Sequence, residues 1–210
     1  VTGEGNTIAL GTAPAGDATA MYMTGVNGAV ISGNAATGYT GGRAIAGSNL
    51  TDFDLTGNIF TGNNDGISFW GTTTFITIAG NDLGDNLRYG INIKGQDIEI
   101  TGNDINGCGD SGVNVDRHVI DTERVSINGC SIAGNANYGV KVNAATVLED
   151  VDATGNWWGD ASGPSGKGVG SGDAVSTKVD YTPWLARGTD DDPGADGFQG
   201  DFSELWVDDD

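Results

Sequence analysis

The chain has 210 residues, of which 37 are glycine and only 4 proline, with 29 acidic against 9 basic side chains and a formal net charge of -20. A balance this acidic argues against a nucleic-acid backbone or an anionic membrane surface as partner, and no apolar run nears the roughly 20 residues that span a bilayer. Glycine without proline indicates regularly spaced tight turns within one domain, not disorder.

Residues 1–19 carry no repeat and are expected to cap one end of the fold or to begin a partial rung. The sequence has no initiating Met and no signal-type segment, and reads as a processed piece of a larger polypeptide. From Ala20 a unit recurs. Gly-Asn or Gly-Cys pairs end at Asn34, Asn58, Asn81, Asn103, Cys130 and Asn156, at intervals of 22 to 27 residues. A period of that size marks a solenoid whose units are each too small to bury their own apolar face.

Each unit has further beats. After the Gly-Asn pair comes an apolar step (Phe60, Leu83, Ile105, Ile132), then a second turn at Asn63, Asp85, Cys108 and Asn135. A Gly-apolar-x-apolar strand follows at 66–69, 90–93, 112–115 and 139–142, and after a variable loop another strand at 53–55, 76–78, 98–100, 125–127 and 151–153. All alternate apolar and polar residues at period 2, so one side faces a core and the other faces water. Three short strands per rung predict an all-β fold, a parallel β-helix of about six rungs over residues 20–156. Glycine supplies the positive-φ corner, and asparagine tolerates the left-handed region while its amide bonds to the same amide one rung away. Cys108 and Cys130 take amide-like places in two different turn columns, which makes them buried turn residues; a bridge between rungs is the alternative.

Residues 157–185 hold Trp157, Trp158, Pro183 and Trp184, bulky cover for an open rung end that exposes its interior and unpaired backbone. Residues 186–210 form an acidic tail, a linker or a surface-hugging extension, with nine acids against Arg187 as the only base. Asp190, Asp192 and Asp196 are its candidate Ca2+ ligands, although the twelve-residue EF-hand pattern is missing and a solvated acidic stretch is the competing reading.

These repeats resemble the right-handed parallel β-helix of the pectate-lyase-like superfamily, over Ala20 to Trp158. The segment "GNWWGDASGPSGKGVGSGDAVSTKVDYTPWL", residues 155–185, is similar to segments that close β-helix domains in secreted and surface-attached bacterial or archaeal proteins. The resemblance implies an extracellular, secreted or cell-surface setting. The Asp-Pro-His-Glu pattern of alginate epimerases and the Gly-His-Gly and Arg-Ile-Lys patterns of polygalacturonases are absent, so no family catalytic residue carries over.

In a coil of this kind, function falls to outward strand positions and to turns longer than the minimum. Ser68, Asn92, Asn114 and Lys141 point outward from one sheet, flanked by Trp70, Lys94, Asp116 and Asn143 on one side and by Asp65, Tyr89, Ser111 and Tyr138 on the other. Trp70, Tyr89, Asn92, Lys94, Asn114, Tyr138 and Lys141 are the candidate binding residues for a polysaccharide or cell-surface glycan, with rings to stack on sugar faces and amides for hydroxyls. The longest loop, 116–124, brings Asp116, Arg117, His118 and Asp121 together as a candidate catalytic set: acid, base and charge-neutralising groups for uronic-acid chemistry. The leading expectation is a non-catalytic extracellular binding or adhesive module. The alternative is a polysaccharide lyase, C5-epimerase or hydrolase acting along the same face. A surface protein adapted to saline surroundings is a third.

Overall fold

The computed structural model describes residues 2–4, 7–9, 18–116, 122–145 and 147–207. Strands β1 (Thr2–Glu4) and β2 (Thr7–Ala9) precede a first full rung of β3 (Thr19–Thr24), β4 (Asn27–Ser32) and β5 (Ala35–Thr37). The next rungs hold β6 (Arg43–Ser48) and β7 (Thr51–Thr56), then β8 (Asp65–Trp70) and β9 (Thr73–Ala79), then β10 (Tyr89–Ile93) and β11 (Gly95–Thr101). They are followed by β12 (Ser111–Val115) with β13 (Glu123–Asn128), and β14 (Tyr138–Val142) with β15 (Val151–Asp152). β16 (Pro164–Gly166), β17 (Gly172–Val175) and β18 (Val179–Asp180) close that end, and β19 (Trp184–Leu185) meets β20 (Leu205–Trp206) in an antiparallel pair. No helix among the described residues is long and apolar enough to cross a membrane.

The strands stack into two long parallel sheets. The first runs β1-β4-β7-β9-β11-β13-β15-β18 and the second β3-β6-β8-β10-β12-β14-β17-β16. A narrow third side consists of β2 and β5, continued by single bridges through Ile59, Asp82, Asp104, Ser131 and Trp157. Register keeps like on like: Phe53, Ile76, Ile98 and Val125 stack in the first sheet, and Ile45, Ile67, Ile91, Val113 and Val140 in the second. With Phe60, Leu83, Ile105 and Ile132 from the third side, these side chains are buried and fill the coil. A shift of one residue in any rung would turn its apolar set outward, so the alternation itself holds the register.

The Gly-Asn corner works as its chemistry predicts. The glycines before Asn34, Asn58, Asn81, Asn103, Cys130 and Asn156 have φ between 59° and 67°. Asn58 donates its backbone N–H and its Nδ2 to Oδ1 of Asn81 at 2.8 and 2.9 Å, and Asn81 does the same to Asn103 at 2.9 and 2.9 Å. Each Nδ2 also reaches a carbonyl of the preceding rung, as from Asn103 to Ile78 at 2.8 Å. Cys130 replaces one member, accepting at Sγ from Asn103 N–H and donating to the Ile100 and Asn128 carbonyls. Both cysteines are free and buried, and burial pushes each thiol up to about 12.

The second corner differs from the expected column in one residue. Asn63 donates its N–H to Oδ1 of Asn86, not to Asp85, and Cys108 donates to Asn135, which in turn donates to the carboxylate of Asp173. Asp85 takes the left-handed turn position at φ 54° and stays exposed, while the neutral amide beside it enters the dry interior. Burying the carboxylate there would cost far more than burying the amide.

At the closing end Trp158 and Trp184 are buried, and the Tyr181 and Trp184 rings lie 6.1 Å apart. The chain then turns back along the Gly-Asn corner. Phe198, buried, donates its N–H to Gly102 at 2.8 Å, Phe202 lies against Gly129 and Gly155, and Asp196 lies over Gly57. A Cβ on Gly197 would sit 2.3 Å from the Gly102 carbonyl, so only glycine allows this approach.

Candidate functional site

The outward face of the second sheet is built from three columns, one residue per rung. The middle one is Tyr22, Ala46, Ser68, Asn92, Asn114 and Lys141. Asn114 Nδ2 donates to Asn92 Oδ1 at 2.9 Å, and Asn92 Nδ2 donates to Ser68 Oγ at 3.2 Å. Parallel pairing about 4.8 Å apart makes such a chain of contacts unavoidable once amides occupy the same register. Where the chain has Ala46, the small side chain leaves a gap, and the exposed Tyr22 ring approaches Trp70 with centroids 6.1 Å apart. Ala46 is covered although it points outward.

The column at the strand starts is Thr19, Arg43, Asp65, Tyr89, Ser111 and Tyr138. Asp65 is wholly buried: Arg88 grips it with two hydrogen bonds of 2.8 and 2.6 Å, and Arg43 Nε lies 3.5 Å away. The Asp65 hydrogen bond raises the pKa of Arg88, against desolvation. The Arg88 guanidinium sits 4.7 Å over the Tyr89 ring, and Lys141 Nζ lies 5.8 Å from the Tyr138 ring centroid. Such cation-ring contacts are worth about 0.5–1 kcal/mol at exposed sites and hold both rings at the surface.

Beyond the strand ends, Trp70 is followed one rung on by Lys94 and then by Asp116, 4.0 Å from Lys94 Nζ and an acceptor for Asn143 Nδ2 at 3.0 Å. Arg43, Ser68, Phe69, Trp70, Asn92 and Lys94 line a cleft of about 290 Å³.

The first sheet turns a different chemistry outward. Asp54, Thr77, Glu99, Ser126, Asp152 and Asp180 stack in register. A wider hollow of about 530 Å³ lies among Asp52, Asp54, Phe75, Asp97, Glu99 and Arg124. Arg124 is held there by Asp97 at 2.6 and 3.0 Å and by Glu123. Gly28, Asp52, Phe75, Asp97 and Arg124 share one register and all have positive φ, a kink repeated on five rungs that no simple sequence pattern announces.

A family model described as a right-handed beta helix region matches residues 2–157. The chain belongs to the right-handed beta helix family. No curated protein and no solved structure matches it.

Within this β-helix, the residues expected to bind a glycan divide. Asn92, Asn114 and Lys141 share the middle column, Trp70 and Lys94 adjoin one another, and Tyr89 and Tyr138 lie two rungs apart at the strand starts. Several outward positions are less open than alternation alone implies: Asp65 and Ser111 at the strand starts are fully covered, and Ser68 in the middle column nearly so. The reason at Asp65 is the two arginines on the neighbouring rungs, Arg43 before it and Arg88 after it. Of the candidate catalytic set, Asp116 immediately follows β12 and contacts Lys94 and Asn143, while Arg117, His118 and Asp121 lie outside the described residues. The loop rejoins the coil at buried Thr122, whose hydroxyl bonds to the Asp116 carbonyl and accepts from Gly95 N–H at 3.2 Å.

Among the described residues no group of three or more His, Cys, Asp or Glu side chains is placed to hold a metal ion, and Asp190, Asp192 and Asp196 form no such group. Asp190 Oδ1 instead accepts the backbone N–H of Asp192 at 3.0 Å and of Gln199 at 3.3 Å, closing the tail's own turn. Sequence reading missed Arg43, Arg88 and Tyr22. Stepping back one repeat period from Asp65 and Ser68 reaches Arg43 and Ala46, a signal hidden because that rung lacks the Gly-apolar-x-apolar pattern.

Proposed function

We propose that this β-helix is a non-catalytic, carbohydrate-binding module of an extracellular or cell-surface protein, part of a larger polypeptide, which holds a linear glycan along the outward face of β6 to β14. The observation that carries this reading is the in-register line Ser68–Asn92–Asn114, bordered by Tyr22, Trp70, Tyr89 and Tyr138. Each rung advances about 4.8 Å, close to the length of one residue in an extended linear glycan. Rings take the apolar faces of the sugars, and amides and hydroxyls take their hydroxyl groups. The formal charge of -20 disfavours nucleic acid as the occupant.

A glycan array followed by calorimetric titration tests the reading. Trp70→Ala is expected to weaken the bound glycan at least tenfold with little change in melting temperature, because Trp70 lies outside the core. An array silent across neutral and acidic linear glycans would end the proposal. Appearance of an unsaturated or shortened product during the same incubations would make the face that of a lyase or hydrolase, and a changed uronate configuration would make it that of an epimerase.

A further inference from the structure

The closing end of the coil carries a strand whose apolar side chains are left open to solvent. β19 and β20 pair antiparallel, with Trp184 opposite Trp206 and Leu185 opposite Leu205. Cross-strand partners share a face and successive residues alternate between faces, so this small sheet has a leucine pair on one side and a tryptophan pair on the other. On β19 both members are buried; on β20 Leu205 is 45% exposed and Trp206 55%. Phe202 and Val207, at 55% and 56%, extend the exposure to either side in sequence. Among the described residues, four of the ten large exposed hydrophobics thus fall within six positions, a concentration that marks an interaction surface.

The backbone of β20 is open as well. Ala186, next in register, donates its N–H to the Glu204 carbonyl at 3.2 Å, and antiparallel alternation then turns the N–H and C=O of Leu205 away from β19. From β6 to β14 every strand of the second sheet has a neighbour on both sides, whereas among the described residues β20 has one on a single side. Soluble proteins blunt such edges with lysine, proline or a covering segment, and residues 201–207 contain neither lysine nor proline.

We propose that the free edge of β20 is a docking site for an extended, basic segment of a partner protein, which adds a third strand beside Leu205 and covers Leu205, Trp206 and Val207. The proposal is independent of the glycan-binding reading. Main-chain bonds to the Leu205 edge supply a general attraction, and the side chains that meet Leu205 and Trp206 supply the selection.

Charge decides the kind of partner. Residues 201–210 hold five acids and no base in sequence, and the acids Asp201 and Glu204 share Arg187 at 3.4 and 3.2 Å. A second copy of this chain would set the same acids against them, and an anionic lipid surface would be repelled in the same way. A strand that alternates lysine or arginine with apolar residues meets both demands: its apolar side chains cover Leu205, and its cations pair with Glu204 or lie over the open Trp206 ring.

The test is calorimetric titration of the whole chain, at physiological ionic strength, with three synthetic peptides of about six residues, the usual strand length. Their sequences alternate Lys-Val, Glu-Val and Lys-Gly, and hydrogen exchange read by mass spectrometry locates the bound peptide. The Lys-Val peptide is expected to bind tenfold or more tightly than either of the others and to slow exchange over residues 203–207. Trp206→Ala and Leu205→Lys should each weaken it at least tenfold. If either variant frees the tail, seen as faster exchange at Phe198, the three peptides and the place of protection on the unaltered chain decide alone. Equal binding of the Lys-Val and Lys-Gly peptides, or protection elsewhere, would reduce the effect to bulk charge and overturn the site. So would the absence of binding by any peptide, or binding that survives in both folded variants. Self-association that protects residues 203–207 without peptide would make a second copy the occupant, and capture by neutral lipid vesicles lost in Trp206→Ala would make it a membrane; both overturn the proposal.

Discussion

Two ladders of asparagine climb the same coil, and they do different work. Along the Gly-Asn corner, Asn34, Asn58, Asn81 and Asn103 are buried; the first three give their amides both to the next amide and to backbone carbonyls, and Asn103 gives its own to the Ile78 carbonyl and to Cys130 Sγ. On the second sheet, Asn92 and Asn114 repeat at the same spacing, but among the described residues they bond only along the side-chain line to Ser68. Identical stacking therefore has opposite energetic meaning. Inside, the amides are the only partners available to backbone groups that water cannot reach. Outside, water serves the backbone and solvent-facing edges alike, so the ladder is surface chemistry free to meet a ligand.

Removing one interior member should have the largest effect. Asn81→Leu leaves the Asn58 N–H without its acceptor in the interior, removes the amide's bond to the Leu55 carbonyl, and is expected to cost about 3 kcal/mol in urea denaturation. A loss equal to that of the corresponding outer substitution would collapse the distinction between the ladders.

A second effect arises where the third side stacks acids instead of amides. Burial, and then Asp82 one rung away, push the Asp104 carboxyl up from 3.8 to about 6, with further contributions from Asp190 and Asp85 and an opposing hydrogen bond from Asn106. Its folded pKa lies above the unfolded value, so between 3.8 and about 6 the folded chain holds more protons and loses stability as pH rises through that window. The melting temperature is expected to climb on acidification from pH 7 toward 5 through this group, and Asp104→Asn should raise it at pH 7 and flatten the climb. An unchanged slope in the variant would show that this column tolerates charge as easily as amide.

Restoring the interior ladder is a gentler probe. Cys130 already points Sγ at the two carbonyls that an amide would use, so Cys130→Asn should stabilise by about 1 kcal/mol, read from the same denaturation curves. Destabilisation would mean that the corner needs the smaller side chain. Smallest of all, Asn92→Ala should change stability by no more than about 0.5 kcal/mol while weakening glycan binding. A larger loss of stability would move the outer ladder into the structural class.

Much of the fold was legible because every rung repeats the same local decision. Asn34, Asn58, Asn81 and Asn103 announce the corner, and the period-2 alternation through Ile67, Ile91, Val113 and Val140 announces the core. Reading failed where neighbouring residues compete for one place, as Asp85 and Asn86 do, because only burial separates a solvated carboxylate from an interior amide. It failed again at Asp65, outward by alternation yet sealed by Arg88, a contact between residues one rung apart. Of the candidate site, the middle column with Lys94 and Lys141 was legible, and Arg43 and Arg88 were not.

The order of residues by itself determined a parallel coil, its phase and its amide corner, since these follow from glycine's freedom, amide chemistry and a two-residue repeat acting at short range. Only the tertiary structure decided that the acidic tail lies back along that corner, that seven acids lie on the strands of one long sheet while Arg43 and Lys141 lie on the other, and that Arg43, Trp70 and Lys94 share one cleft. Those outcomes depend on which side chains stacking brings together across 22 to 27 residues of chain, a distance over which local pattern carries no information.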